Sequence, residues 1–157
     1  MKRQLLRALI AVAALALLVP IAAIASPGSG IVLPITTVSD GTLAGPTKVN
    51  LPGIVKLQTF QDLRVLTQEL TITPGGNTGW HSHPGPVLVT VEHGTFRYQE
   101  TDCSFIDYVT GETVLDSGGG HVHIGRNPSA TEDLDLSVTY LIPPGVAPRT
   151  DVPLVDC

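Results

Sequence analysis

Hydrophobic and polar residues alternate over short runs in most of the chain beyond residue 50. These runs are rich in the β-branched and aromatic residues typical of strands, and turn sequences such as PGGNTG, HPGP and SGGG separate them. No segment after residue 25 keeps a helical period long enough for a helix. The pattern predicts an all-β domain, either a sandwich or a closed barrel, with strands in 54–59, 63–73, 87–92, 95–100, 105–110 and 134–142.

The first 25 residues follow a different pattern. A basic start precedes an apolar stretch over 8–19, and small residues lie just before Ser26. This order predicts a secretory signal peptide, residues 1–25, and therefore a secreted or cell-surface protein without a stable membrane span after cleavage. An uncleaved membrane anchor is the alternative, because the apolar stretch approaches the length of a span, but Pro20 and the Ala-Ile-Ala ending favour cleavage.

The remaining chain divides into two parts. Residues 26–46 mix Gly, Pro, Ser and Thr without a sustained period, which predicts a flexible lead-in with at most one short edge strand. Residues 47–157 contain all the other predicted strands and are long enough to form one β domain with its own core.

The predicted mature chain is acidic. Removal of residues 1–25 takes three of the nine basic residues and none of the fourteen acidic ones, which leaves a formal charge of −8. Such a surface repels phosphate backbones, so nucleic acid is not expected as a partner. A small-molecule ligand or substrate is the expected partner, and a homodimer stays open.

The chain has two cysteines, Cys103 and Cys157. Because an exported chain matures in an oxidising compartment, we expect them to form a disulfide that fastens the C-terminus to the body of the domain. The alternative is two free thiols. No Cys-x-x-Cys pair indicates redox chemistry or a zinc site.

Four of the five histidines form two His-x-His pairs, His81 with His83 and His121 with His123. Residues i and i+2 of a strand point to the same face, so each pair can present two imidazoles together. Imidazole is a common ligand of Zn, Fe, Ni, Cu and Mn. We therefore predict a divalent transition-metal or ligand site, against the alternative of ordinary surface or core histidines. The fifth histidine, His93, lies in a predicted turn.

Two segments around these pairs resemble the two sequence motifs of the cupin family. The segment GGNTGWHSHPGPVLVTVEHG resembles the first motif, and GETVLDSGGGHVHIGRN resembles the second. The chain is similar to small single-domain cupins of an exported actinobacterial type. The resemblance implies a single cupin β-barrel, of the jelly-roll or double-stranded β-helix type, with a metal ion bound by His81, His83 and His123. The other matching positions are Gly75 or Gly76, Gly94, Gly111 and Asn127.

Two departures from the family pattern affect the predicted site. The family's metal-binding glutamate would fall at position 87, but this chain has Val87, so three neutral histidines would leave a divalent ion with its full charge. Strand alternation places Val87, Val89 and Val91 on one face as an apolar wall. The second motif also has one extra residue before its histidine, which the run SGGG can absorb as a loop. His123 then aligns with the motif, whereas the place of His121 stays open.

His121 has two interpretations. It is either a fourth metal ligand or a proton shuttle at the mouth of the barrel. The three glycines before it indicate a mobile loop and favour the second interpretation, which makes His121 the candidate catalytic residue. Trp80 is expected to pack outside the barrel, and Asn127 to fix the turn after His123.

Three functions are compatible with these residues. The resemblance implies a metal-dependent enzyme, either a small-molecule dioxygenase or an enzyme for metal-assisted isomerisation or hydrolysis. The second is a non-catalytic small-ligand or metal-binding module of the cell surface. In the third, the barrel is metal-free, and Val87 marks a site that accepts an apolar ligand or has only a structural role. The sequence alone does not decide whether the protein is an enzyme.

Overall fold

The computed structural model describes residues 25–157, so the predicted signal peptide, apart from Ala25, lies outside the described residues. In this range no helix is long and apolar enough to cross a membrane. The described chain forms thirteen strands: β1 (Ser29–Ile31), β2 (Thr36–Leu43), β3 (Thr47–Leu51), β4 (Val55–Thr59), β5 (Leu63–Asn77), β6 (His81–Ser82), β7 (Val87–His93), β8 (Thr95–Glu100), β9 (Phe105–Val109), β10 (Thr113–Asp116), β11 (His123–Arg126), β12 (Leu134–Ile142) and β13 (Thr150–Asp151).

Eleven of these strands form one sheet, in which every pairing is antiparallel. Its main order is β10-β7-β12-β5-β11-β6-β13, with β1 and β2 also on β5, β8 on β11 and β9 on β8. The 15-residue strand β5 pairs with the whole of β12, with Leu134 opposite Ile72 and Ile142 opposite Arg64. The sheet curves into a nearly closed barrel, so the prediction of an all-β fold is confirmed.

The inward faces of the neighbouring strands β7 and β12 form a large part of the core. Both strands alternate between buried and more exposed positions, as a strand with one inward face requires. Val89 pairs with Val138 and Val91 with Leu136, which joins the two inward faces into one apolar surface. The buried residues of this surface are Val87, Val89, Val91, Leu134, Leu136 and Val138.

Residues 26–46 contain two strands, where the sequence predicts a flexible lead-in with at most one short edge strand. β1 and the eight-residue β2 both pair with β5 in the main sheet. The sequence concealed β2 because all but one of its residues are exposed, so no apolar alternation marks it. Backbone hydrogen bonds to β5 hold it, and Arg64 of β5 makes a two-point ion pair with Asp40 of β2.

The predicted run 54–59 does contain a strand, β4, but that strand pairs with β3 and not with the barrel. Cross-strand neighbours place Val49 opposite Leu57 and Leu51 opposite Val55. These four apolar side chains share one face of the hairpin, and all four are exposed. The hairpin is therefore a small sheet of its own beside the barrel.

Both ends of the described chain lie against the residue before β6, Trp80. Trp80 is fully buried there, facing Ser26, Pro27 and Leu154, so it packs away from the interior as expected. The Trp80 amide donates a hydrogen bond to Ser26 Oγ over 2.8 Å. The expected disulfide is present: Cys103, in the turn after β8, is bonded to the last residue, Cys157.

Candidate metal centre

Strand register brings the two histidine motifs together. His81 begins β6, His123 begins β11, and the two residues are direct partners in the antiparallel pair. His83 follows just after β6, at the start of the HPGP turn. The imidazole centres are 4.4 Å apart for His81 and His123, 4.7 Å for His81 and His83, and 5.3 Å for His83 and His123.

The three imidazoles are buried, and their ring nitrogens are arranged for one metal ion. One nitrogen from each of the three rings lies within 4.8 Å of the other two. Nδ1 of His81 is 2.8 Å from the carbonyl oxygen of Gly79, and Nδ1 of His83 is 2.7 Å from that of Pro148. A carbonyl oxygen accepts only, so both Nδ1 atoms carry the hydrogen and both Nε2 atoms keep a free lone pair. The donor set therefore fits a divalent transition metal held by three Nε2 atoms.

Burial keeps two of these rings neutral. It lowers the pKa of His81 from 6.5 to about 2, assisted by His123, Arg149 and His83. Burial also lowers the pKa of His83, although the Pro148 carbonyl raises it in part. Neutral imidazole is the form that binds metal, so neither ring must lose a proton at neutral pH to become a ligand.

These shifts predict that acid destabilises the metal-free protein. Above pH 6.5 the two rings are neutral both in the folded and in the unfolded chain. Below this pH the unfolded chain gains protons that the folded chain does not bind, so the free energy of unfolding falls by up to about 1.4 kcal/mol per pH unit for His81. We expect urea unfolding at about pH 7, 6 and 5 to show this decline.

The control variants are His81→Gln and His93→Gln. His93 is exposed at the end of β7, so its replacement should leave the pH slope unchanged, whereas His81→Gln should reduce the slope to the part that His83 contributes. An unfolding free energy that stays constant from about pH 7 to 5 in the unsubstituted protein would contradict the assignment of neutral, buried rings.

A buried carboxylate that the sequence analysis missed lies behind His123. Asp116, the last residue of β10, is 2 % exposed, and its Oδ2 is 3.0 Å from Nδ1 of His123, although the two are not aligned as a hydrogen bond. Oδ2 also accepts a 2.6 Å hydrogen bond from the Tyr98 hydroxyl, and Oδ1 accepts one from the Gly118 amide. An anionic group at Nδ1 keeps the hydrogen on that nitrogen, which leaves Nε2 of His123 free for metal.

The charge of Asp116 is held in place by its contacts. Burial would raise the pKa of this carboxyl, but the contacts with His123 and Tyr98 outweigh burial and hold the pKa below its usual range. Burial and the Asp116 carboxylate raise the pKa of Tyr98 well above its usual range. Tyr98 therefore stays protonated and donates to Asp116, which stays ionised.

The residue that faces Val87 across the strand pair is a carboxylate. Val87 is fully buried in the apolar core, and its cross-strand partner is Asp116. A carboxylate is thus present beside the site, but it comes from β10 and contacts the outer nitrogen of a histidine. Of the predicted apolar wall, Val87, Val89 and Val91 are all buried, and Val89 lines the cavity next to the histidines.

His121 lies on the outer side of this cluster. Its Nδ1 is 3.2 Å from the Tyr98 hydroxyl and 3.4 Å from Asp116 Oδ2, and its Nε2 is 2.9 Å from Glu100 Oε2. The side chain is 39 % exposed and does not line the cavity. His121 thus groups with Asp116 and His123. It is not part of the second group, which His123 forms with His81 and His83.

Asn127 occupies the position expected from the second motif. Its side-chain amide donates to the carbonyl oxygens of Ile72 and Glu132, and its Oδ1 accepts from the Ser129 amide. These bonds fix the turn after β11 to β5. Asn127 is buried and does not line the cavity beside the histidines.

A small cavity opens beside the three histidines. Its volume accessible to water is about 50 Å³, which is enough for about three to five water molecules. Besides the three histidines, the wall contains Leu70, Thr78, Val89, Phe96, Gly125, Leu136, Val138, Tyr140 and Arg149. Burial raises the pKa of Tyr140 to about 12, so its hydroxyl stays a donor at neutral pH.

Neither a family model nor a curated protein sequence matches this chain. Solved structures do resemble it. It is similar to a cupin-like protein from Thermotoga maritima, with 24% identity and a TM-score of 0.51 over 59% of this chain and 67% of that one. A cupin domain from Bordetella pertussis matches with 19% identity and a TM-score of 0.49, over 76% of this chain and 99% of that one.

A DMSP lyase from Ruegeria pomeroyi matches with 17% identity and a TM-score of 0.47. The match covers 54% of this chain and 41% of the lyase, so the chain spans less than half of that enzyme. Likeness at this level of identity concerns the fold and not the activity. The antiparallel barrel and the similarity to the Thermotoga protein show that this chain has a cupin fold, which encloses a buried three-histidine cluster suited to a metal ion.

Proposed function

We propose that this protein binds one divalent transition-metal ion through Nε2 of His81, His83 and His123 and uses it to bind or transform a small molecule. The observation that carries the proposal is the fixed orientation of the rings. Carbonyl oxygens hold Nδ1 of His81 and His83, and the Asp116 carboxylate lies at Nδ1 of His123. Outer contacts of this kind orient metal-binding histidines and increase their basicity.

With three neutral ligands, a divalent ion would keep its full charge and open positions, and so supply Lewis acidity or, if redox-active, electron transfer. The protein groups around these positions bind and orient. The Tyr140 hydroxyl can donate a hydrogen bond to a bound oxygen atom, because its pKa lies far above neutral pH. The apolar side chains of the wall exclude water from the rest of the cavity.

As an enzyme, the protein would be a dioxygenase or an isomerase. The candidate proton-transfer group would be His121, which is partly exposed to solvent and contacts Tyr98 and Asp116. Since His121 does not line the cavity, it would exchange protons with solvent at the edge of the site and would not touch the substrate. The ligand-contacting groups would be the metal ion, Tyr140 and Arg149.

The second candidate function is a non-catalytic ligand-binding or metal-binding module. One observation favours it: apart from the three histidines, Tyr140 and Arg149 are the titratable residues of the cavity wall within the described chain, and the raised pKa of Tyr140 keeps it protonated, so it is not available as a base at neutral pH. A general acid-base enzyme needs a group that titrates near its working pH.

We also propose that the protein acts outside the cytoplasm, as a secreted or cell-surface protein. The support is the signal-like sequence of residues 1–25 and the Cys103–Cys157 disulfide, since disulfides persist in oxidising compartments. The proposal also agrees with the resemblance of the sequence to small single-domain cupins of an exported actinobacterial type. A mature N-terminus at Ser26, read by mass spectrometry of the secreted protein, is the expected result, and a chain that keeps Met1 would contradict it.

Cobalt titration tests the coordination. Co²⁺ should produce visible absorption bands that differ from those of the free ion and saturate at about one ion per chain, because three imidazole nitrogens would replace bound water. The His93→Gln variant should behave like the unsubstituted protein, because His93 is exposed. Bands that survive in His83→Ala with unchanged strength would contradict the proposed ligand set.

Dioxygen uptake separates a dioxygenase from a binding module. With Fe²⁺ bound, a dioxygenase should consume dioxygen when its substrate is added, whereas a binding module should bind ligands without turnover.

A further inference from the structure

We propose that the cavity beside the three histidines selects a small carboxylate, whose negative charge is bound by Arg149. This inference rests on the proposed metal site for the second point of attachment. Arg149 is the residue that completes the cavity wall from the segment between β12 and β13. Arg149 is not marked by any sequence motif.

The Arg149 side chain is fixed in place but has donors to spare. Its Nε donates to Asp151 Oδ1 over 2.6 Å, and its Nη2 donates to the carbonyl oxygen of Thr78. A guanidinium group has five N–H donors, so three remain for a ligand. The preceding residue, Pro148, holds His83 through its carbonyl oxygen. The same short segment therefore orients a metal ligand and presents the cation.

The charges around the cavity favour an anion. No aspartate or glutamate lines the cavity in the described part of the chain. Asp116 lies behind His123, on the outer nitrogen of that ring, and Asp151 contacts Nε of Arg149 at a half-exposed position. With Val87 at the position of the family's glutamate, no carboxylate ligand would neutralise the metal ion. A metal ion and a guanidinium group would thus both attract a negative ligand.

The volume and the apolar lining of the cavity limit the size and the polarity of the ligand. Room for about three to five waters corresponds to a molecule of a few non-hydrogen atoms. Val89, Phe96 and Val138 offer apolar surface to the rest of such a molecule. Guanidinium groups match the planar geometry of carboxylates and bind both oxygen atoms. A short-chain carboxylate fits these three conditions together.

Calorimetric titration with acetate, and with uncharged acetamide as the matched probe, tests the proposal. Metal-free and zinc-loaded protein are both titrated. Acetate should bind more tightly than acetamide in both forms. The Arg149→Gln variant should weaken acetate binding by about 10- to 100-fold, the loss expected for a charge-assisted contact, and leave acetamide binding unchanged.

Two further variants make the test specific. Arg97, which pairs with the exposed Asp107 on β9, is the matched control, and Arg97→Gln should bind acetate like the unsubstituted protein. Arg149→Lys keeps the charge but not the planar group, so it should keep the preference for acetate at reduced affinity. NMR of the unsubstituted protein needs no variant: the Arg149 Nη–H signals should shift with acetate and not with acetamide, because the spare donors lie on the two Nη atoms.

The two proposals fail in different ways. Zinc content measured on the same samples reports the metal site alone. If zinc does not bind but the acetate preference depends on Arg149 in the metal-free protein, the metal proposal is wrong and the anion proposal stands. If Arg149→Gln is folded and binds acetate as tightly as the unsubstituted protein, or the Arg149 Nη–H signals do not respond to acetate, the anion proposal is overturned.

Discussion

The Asp116→Asn variant is expected to lose metal affinity by about 10- to 100-fold, the usual effect of removing the partner of a metal-binding histidine. The reason is the tautomer of His123. Oδ1 of residue 116 accepts the Gly118 amide, so in the variant the side-chain NH₂ would take the position of Oδ2 and point its hydrogens at Nδ1 of His123. That arrangement favours hydrogen on Nε2, the nitrogen that metal needs.

Zinc affinity measured by competition with a chelator is the readout for this variant. Asp107→Asn is the matched control, because Asp107 is an exposed carboxylate of β9 that contacts Arg97 and not the site. Circular dichroism should show that both variants are folded. Equal zinc affinity in Asp116→Asn and the unsubstituted protein would mean that Asp116 does not set the state of His123.

Removal of the disulfide should have the largest effect on stability. Cys103 and Cys157 are 54 residues apart in sequence, and the chain-entropy model gives about 4 kcal/mol for a loop of this length. We therefore expect the Cys103→Ser, Cys157→Ser double variant to have a free energy of unfolding about 4 kcal/mol lower in urea.

A reducing agent provides the control for the disulfide prediction. It should lower the unfolding free energy of the unsubstituted protein toward that of the double variant, and should leave the double variant unchanged. A double variant as stable as the oxidised protein would show that the crosslink does not restrict the unfolded chain enough to matter.

The fold could be predicted largely from the sequence because inward and outward residues alternate clearly in β7 and β12. The strand β2 could not, because it is exposed along nearly its whole length and backbone pairing alone places it. The strand β4 was predicted, but its place in a separate hairpin could not be, because alternation does not say which strand is the partner.

The candidate site also contains some residues that the sequence pattern brings together and others that it does not. His81 and His83 share a short segment, so the sequence pattern brings them together. The approach of His123 depends on the register between β6 and β11, which no local pattern sets. Asp116 did leave a signal: in the segment TVLD it alternates with the apolar Val114, which predicts an inward face, and both residues are buried. Arg149 left none, because it follows a Pro/Gly turn without a strand pattern.

Metal content tests the central claim most directly. Protein purified after supplementation with Fe, Mn, Zn, Ni or Cu should retain about one metal ion per chain, as elemental analysis would show. The His93→Ala control should retain the same amount, and His123→Ala should retain almost none, because one of the three proposed ligands is gone. Failure of the unsubstituted protein to retain any of the five metals, or equal retention by His123→Ala, would contradict a metal centre built from His81, His83 and His123.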